Sequence, residues 1–147
     1  MFVDKLLSAA RATLVTIADD APTLQAATLL QEGADLVMVC DSAGALVGVI
    51  TRTDVVRQMS GCRGGACTTT ASSVMTRDVV VCRPDELLHD VWLRMKERGL
   101  KSIPVATKDL RPQGVLSVRD VLKVLLAESE NEEAMLRDYY ECIGYNN

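Results

Sequence analysis

Aromatic residues are scarce in this chain. One Trp, three Tyr and one Phe make up 3% of its 147 residues, so the core of a chain that is 48% hydrophobic must be built chiefly from Val, Leu, Ala and Met. An excess of positive charge is missing too. The net charge is -4 and the isoelectric point is near 5.0, which argues against a duplex nucleic-acid binder, since such proteins present a basic face. Any bound anion must then be held by local donors. No apolar run approaches the length of about 18 residues that a membrane-spanning helix needs. Near the start, Lys5 and Arg11 interrupt short apolar pieces and no cleavage-site pattern follows, so the expected location is cytoplasmic, without a membrane partner.

Catalytic apparatus is equally thin. Histidine occurs once, as His89 beside Asp90, and reads as a surface residue. There is no Ser/His/Asp arrangement, Walker loop or dinucleotide glycine fingerprint, so an enzyme is not expected. The five cysteines, Cys40, Cys62, Cys67, Cys82 and Cys142, make no even framework, and a cytosolic chain keeps them reduced. Cys40 and Cys82 sit in apolar runs and read as small core residues. Cys62 and Cys67 flank Arg63 in a small and polar stretch. Three readings stand for that pair: incidental linker cysteines, a redox pair with a lowered thiol pKa, or a metal site completed by a second chain.

What the sequence does have is a repeat. Gly48 to Asp54 (GVITRTD) returns 66 residues later as Gly114 to Asp120 (GVLSVRD), and Gly33/Gly99 and Val39/Val105 keep the same offset. A period this long signals a duplicated supersecondary unit. Hydrophobic periodicity and turn residues predict the order strand, helix, strand, strand, helix in each copy. Repeat one is read at about residues 13–60, a linker at 61–73, repeat two at about 74–127, and a helical extension at 128–147. A leading helix is expected over residues 1–12. In the second copy the strands are expected at Val79–Cys82, Ile103–Ala106 and Val115–Leu116, with Pro112 in a turn. Trp92, on the apolar face with Leu88, Val91 and Met95, reads as core. The expected fold is α/β: two pseudo-symmetric repeats, each a small sheet packed with helices.

In each motif a hydroxyl residue, Thr51 or Ser117, precedes an aspartate by three positions. That is a helix-capping pattern, in which the hydroxyl takes a first-turn amide and the acid complements the helix dipole. The same groups suit a nucleotide: a carboxylate accepts from both hydroxyls of a ribose, and unpaired amides at a helix start receive phosphate.

On these residues the chain resembles a tandem pair of cystathionine beta-synthase (CBS) domains, a Bateman module, over about residues 13–127. The resemblance rests on the two glycine-to-aspartate motifs, the run Lys101-Ser-Ile-Pro-Val105, and Val74-Met75-Thr76 leading into Val79-Val80-Val81. It implies two clefts between the halves, each suited to an adenosine-containing ligand such as AMP, ADP, ATP or S-adenosylmethionine. One would use Val49, Thr51, Thr53 and Asp54, with Val79 and Val80 against the base and Lys101 and Arg119 near the phosphates. The other would use Val115, Ser117 and Asp120 with Leu14 and Thr16. Asp35 and Met38 stand in repeat one where Lys101 and Pro104 stand in repeat two, so the Thr51/Asp54 cleft is expected to take a phosphorylated ligand. The other is expected to be empty or to hold an uncharged nucleoside portion.

The resemblance further implies a flat homodimer, for which Val55, Val56 and Met59 and Val121, Leu122, Val124 and Leu125 are the candidate contacts. The expected role is a regulatory module that senses an adenine nucleotide and alters dimer or partner contacts. The alternative is a structural dimerisation module with empty clefts.

Overall fold

Strand β1 (Thr16–Ala18) opens the first repeat, after a short 3-10 turn (Val3–Leu6) and helix α1 (Leu7–Ala12) that divide the single leading helix expected. Pro22, with its φ of -66°, leads into α2 (Thr23–Gln31), where a missing N–H is harmless. The helix stops where Gly33 takes a φ of 118°, accessible to glycine without a Cβ clash. Strands β2 (Val37–Cys40) and β3 (Leu46–Ile50) follow, their turn held by Asp41, whose Oδ1 accepts from the amides of Ala43 at 2.9 Å and Ala45 at 3.0 Å. Helix α3 (Arg52–Ser60) closes the repeat. β1 runs parallel to β2, and β2 antiparallel to β3.

The structure, a computed structural model, describes residues 1–61 and 69–145, the terminal helix beyond Glu130 chiefly by its backbone. Cys62 and Cys67, and with them the redox and metal readings, lie outside the described residues. A short helix α4 (Ala71–Val74) occupies the end of the expected linker. It is fixed to the first repeat, the Ala71 amide donating to the Ala21 carbonyl at 2.8 Å and the Thr23 hydroxyl to the Thr69 carbonyl at 2.9 Å. Helix α5 (Leu88–Arg98), strands β4 (Ser102–Ala106) and β5 (Pro112–Ser117) and helix α6 (Val118–Tyr145) complete the chain. Pro112 is the first residue of β5, not a turn residue. The expected strand at Val79–Cys82 makes only one bridge, Cys82 to Val105. One reason is that the Arg94 guanidinium takes the Val81 carbonyl at 3.0 Å. The second sheet therefore has two strands where the first has three. The expected extension is not a separate element: α6 runs through it without a break.

Strand alternation distributes the apolar residues between cores. In β2, Val37 and Val39 join Ile17, Ala26, Leu30 and Ile50 under repeat one, while Met38 turns to the opposite face. There it meets Leu36, Leu46, Val49 and Val115, a cluster drawn from both repeats. The second repeat is built on Leu88, Val91, Met95, Ile103, Val105, Leu116 and Val121. Trp92 packs on that core and is half-buried. Full burial of side chains of this size contributes roughly 1.5–3 kcal/mol each.

Each core also takes residues from the segment that precedes the other repeat. Val3 and Ala10 lie in the second core, and Ala71 and Met75 in the first. The repeated glycine makes this exchange possible. A Cβ on Gly114 would overlap the backbone carbonyl of Ala10, and one on Gly48 would overlap the Met75 side chain. Of the candidate dimer contacts, Val121 is fully buried and Val124 and Leu125 pack on the second core, with Leu122 half-buried. Val55 packs on the first core, whereas Val56 and Met59 are 64% and 66% exposed.

Candidate functional site

A cavity of about 880 Å³ lies between the repeats. One wall is Thr13 and Val15, before and beside β1, together with the end of α2 at Leu29, Glu32 and Gly33 and the approach to β2 at Asp35 and Leu36. The other is Lys101 and Ser102 at the start of β4, Val115 and Ser117 on β5, and the first turn of α6. Thr13 ties the walls together, its hydroxyl donating to the carbonyls of Ala10 and Val115, both at 3.0 Å.

At the mouth of α6 the Ser117 Oγ accepts the Asp120 amide at 3.1 Å, which satisfies one of the helix's free donors. The Asp120 carboxylate is half-buried, lines the cavity and has no hydrogen-bond partner among the described residues. The cavity therefore presents an uncommitted acid, a helix N-terminus with its positive dipole end, the two cations Lys101 and Arg119, and an apolar surface from Val15, Leu36 and Val115.

The equivalent acid of repeat one is differently placed. Asp54 is 5% exposed, and its Oδ2 accepts from the Thr51 amide at 2.9 Å and the Thr51 hydroxyl at 3.1 Å. Its Oδ1 accepts from the Thr76 hydroxyl at 3.0 Å and lies 3.5 Å from the Arg57 guanidinium. With the Asp54 amide donating to the Thr51 Oγ1 at 3.4 Å, this is a capping box extended to a third partner. Around it, Val49 is 8% exposed and packs with Val79 in the shared cluster, Val80 packs on the second core, and Thr53 is exposed. The segment Met75–Thr76 lies against β3: Val49 and Thr76 exchange backbone hydrogen bonds at 3.0 and 2.8 Å.

The sequence placed Lys101 and Arg119 with Thr51 and Asp54; in the structure both line the cavity of Ser117 and Asp120. The cause is strand pairing: Ser102 is opposite Ser117 in the β4–β5 ladder and the Val118 amide donates to the Lys101 carbonyl at 2.8 Å. That places Lys101 beside the motif of its own repeat. Leu14 and Thr16 are also displaced by one position. Leu14 is 36% exposed and Thr16 is exposed, and the alternate residues Thr13 and Val15 form the wall. Leu29 and Glu32 were not anticipated at all; the shared Gly33/Gly99 offset was the signal that the end of α2 has a special place.

Two stacked α/β repeats with a cleft at the start of a motif helix define a paired ligand-cleft module. The CBS domain family matches residues 8–61 and 71–127, and the chain belongs to that family. Among solved structures, the CBS domain pair of a protein in complex with 5′-methylthioadenosine and S-adenosyl-L-methionine superposes with a TM-score of 0.71 at 21% identity. The match covers 87% of this chain and 98% of that one. A CBS-domain-containing protein from Agrobacterium tumefaciens gives 0.69 at 28% identity, covering 83% and 91%. Among curated proteins, the transcriptional repressor CcpN of Bacillus subtilis is 27% identical over 110 residues, 71% of this chain and 51% of the repressor. The L-aspartate semialdehyde sulfurtransferase of Methanocaldococcus jannaschii is 24% identical over 96 residues, 65% of this chain and 18% of that protein. The chain thus spans between about a fifth and a half of the length of these two relatives.

Proposed function

We infer that this CBS pair is a regulatory module that binds an adenosine-containing ligand in the cleft of Val115, Ser117 and Asp120. One observation carries the reading: the Asp120 carboxylate borders a cavity of about 880 Å³ and has no hydrogen-bond partner among the described residues. A ribose diol offers two donors to such an acid, Val15, Leu36 and Val115 offer an apolar face to a purine, and the α6 amides receive an anion. Support also comes from the solved CBS pair that holds two adenosine compounds.

The module performs no chemistry in this reading. Occupancy biases the contacts of the chain with a second copy or a regulated partner, and only to the extent that affinity differs between the two states. Residues 1–127 act as the ligand-binding pair, in a cytoplasmic setting. The Thr51/Asp54 motif has a second reading, a structural cap, because every oxygen of Asp54 is engaged within the fold.

Thermal unfolding with millimolar 5′-methylthioadenosine, S-adenosylmethionine, AMP or ATP tests the proposal. A ligand selective for the folded state raises the midpoint. No rise with any of the four, or a rise unaltered by Asp120→Ala, overturns it and leaves the structural dimerisation module as the better account.

A further inference from the structure

The turn that joins β2 to β3 and the turn that joins β4 to β5 are matched copies, and they touch. Gly44 and Leu110 stand at the repeat offset and both have positive φ, 84° and 60°. Their amides donate to the carbonyls of Asp41 at 3.0 Å and Thr107 at 2.9 Å. The same two residues brace the turns with their side chains, Asp41 Oδ1 taking the Ala45 amide at 3.0 Å and Thr107 Oγ1 the Arg111 amide at 3.1 Å. A left-handed position suits glycine. For leucine it presses Cβ against the following carbonyl oxygen, a strain of the same order as the net gain from one hydrogen bond. Leu110 is 43% exposed, so little burial offsets that strain.

The two tips are joined unequally. The Leu46 amide donates to the Leu110 carbonyl at 2.8 Å. No matching return bond can form, because the counterpart of Leu46 is Pro112, which has no N–H. The Arg111 guanidinium donates to the Ala43 carbonyl instead, and Gly44 makes room for it, since a Cβ there would overlap the guanidinium. The joint therefore sets a strained leucine against two hydrogen bonds near the surface. Strain of this kind persists only where the surroundings impose it, and it gathers at switch regions.

We propose that the hairpin tips form a releasable clasp between the repeats: closed, it holds Leu110 in the left-handed conformation, and it opens in the native protein while both cores stay folded. Opening relaxes Leu110 and frees the start of β5, whose later residues Val115 and Ser117 line the cavity. Clasp and cavity thus share one strand. The clasp does not depend on the adenosine reading.

Amide hydrogen exchange on the full chain, resolved by residue, tests it. The Leu46 amide reports the clasp. Met38, bonded to the Val15 carbonyl at 2.9 Å, and Cys82, bonded to the Pro104 carbonyl at 3.0 Å, report the interiors of the two repeats. In the native chain, after correction for intrinsic rates, Leu46 exchanges at least about tenfold faster than either. Leu110→Asn, a residue that tolerates the left-handed region, slows Leu46 about fivefold. Arg111→Ala speeds it about three- to tenfold. Protection at Leu46 equal to that at Met38 and Cys82 means that the tips part only on unfolding, and overturns the proposal. A Leu46 rate that either substitution leaves unmoved overturns it as well. Both substituted side chains are exposed, and the comparison within the native chain needs neither variant.

Discussion

Asp54 and Asp120 hold the same place in the two repeats and meet different surroundings: the first is buried and bonded to Thr51 and Thr76, and the second borders the cavity. The difference predicts opposite mutant behaviour. Asp54→Ala removes the buried acceptor of the Thr51 amide and the Thr76 hydroxyl and lowers stability by about 1–3 kcal/mol, with ligand affinity in the Asp120 cleft unchanged. Asp120→Ala leaves the free energy of unfolding within about 0.5 kcal/mol of native. It weakens adenosine-ligand binding by roughly 1.5–3 kcal/mol, the range for a hydrogen bond to a charged group. Unfolding and calorimetry on both variants read the two effects separately.

Much of this was legible in the residues. The duplication, the glycines that end α2 and α5, and the hydroxyl caps of the motif helices all follow from local chemistry that spacing exposes. Which acid faces the cavity did not follow, because the motif is the same in both copies and the difference lies in what crosses it. Met75 and Thr76 lie over Gly48 and Val49, whereas Ala10 and Thr13 lie over Gly114 and Val115. The Thr76 hydroxyl reaches its acid, and Ala10 offers no hydroxyl at all. The place of Lys101 in the Ser117/Asp120 cavity did not follow either: it depends on the pairing of β4 with β5, a contact that no single motif encodes.

The two crossing glycines are predicted to tolerate a methyl unequally. At Gly114 the obstacle is the Ala10 backbone, which moves only with all of α1, whereas at Gly48 the nearest atoms belong to the flexible Met75 side chain. Gly114→Ala is expected to cost about 1–3 kcal/mol, at the level of overpacking in a closed core, and Gly48→Ala less. Denaturant midpoints at constant m-value check the order.

Glu86 and Arg94 give the chain an acid-side pH dependence. The hydrogen bond from Arg94, at 2.7 Å, holds the Glu86 carboxyl below its ordinary range, helped by the Arg83 amide, also at 2.7 Å, and opposed by partial burial. A depressed pKa contributes stability above the unfolded value of about 4.3 that is lost as pH falls through the folded one. Chemical denaturation between pH 5 and pH 2 is therefore expected to show a falling stability for the native chain. The fall should be shallower for Glu86→Gln, which keeps the shape and removes the titration.

Cys82 predicts the opposite slope at the alkaline side. Burial pushes its thiol up to about 12, with the Glu86 charge adding and the Arg94 charge opposing. The unfolded thiol ionises near about 8.5, so the folded state retains the proton longer and this contribution is lost as pH rises from there towards the folded value. In the native chain at pH 8, Cys82 should resist alkylation and become reactive on unfolding, as mass spectrometry after trapping will show. Cys82→Ser at a fully buried site should cost about 1–3 kcal/mol, since the hydroxyl lacks a guaranteed partner there.

The last prediction concerns the segment before the first repeat, which belongs by packing to the second. Val3 is fully buried in the core of Leu88, Val91 and Met95. Its amide donates to the Glu86 carbonyl at 2.9 Å, and the Asp4 amide to the Pro84 carbonyl at 3.0 Å. A residue this close to the start of a chain is ordinarily tolerant of change, because ends fray. Here Val3→Ala leaves a gap in a closed core and should cost about 1–3 kcal/mol, comparable to truncating Val91, whereas Ser8→Ala on the exposed side of α1 should cost almost nothing. Amide hydrogen exchange will show where the loss falls: protection should drop across α5 and β4 in Val3→Ala while β2 and β3 keep theirs. Uniform loss in both repeats would instead mean that the two cores unfold as one unit.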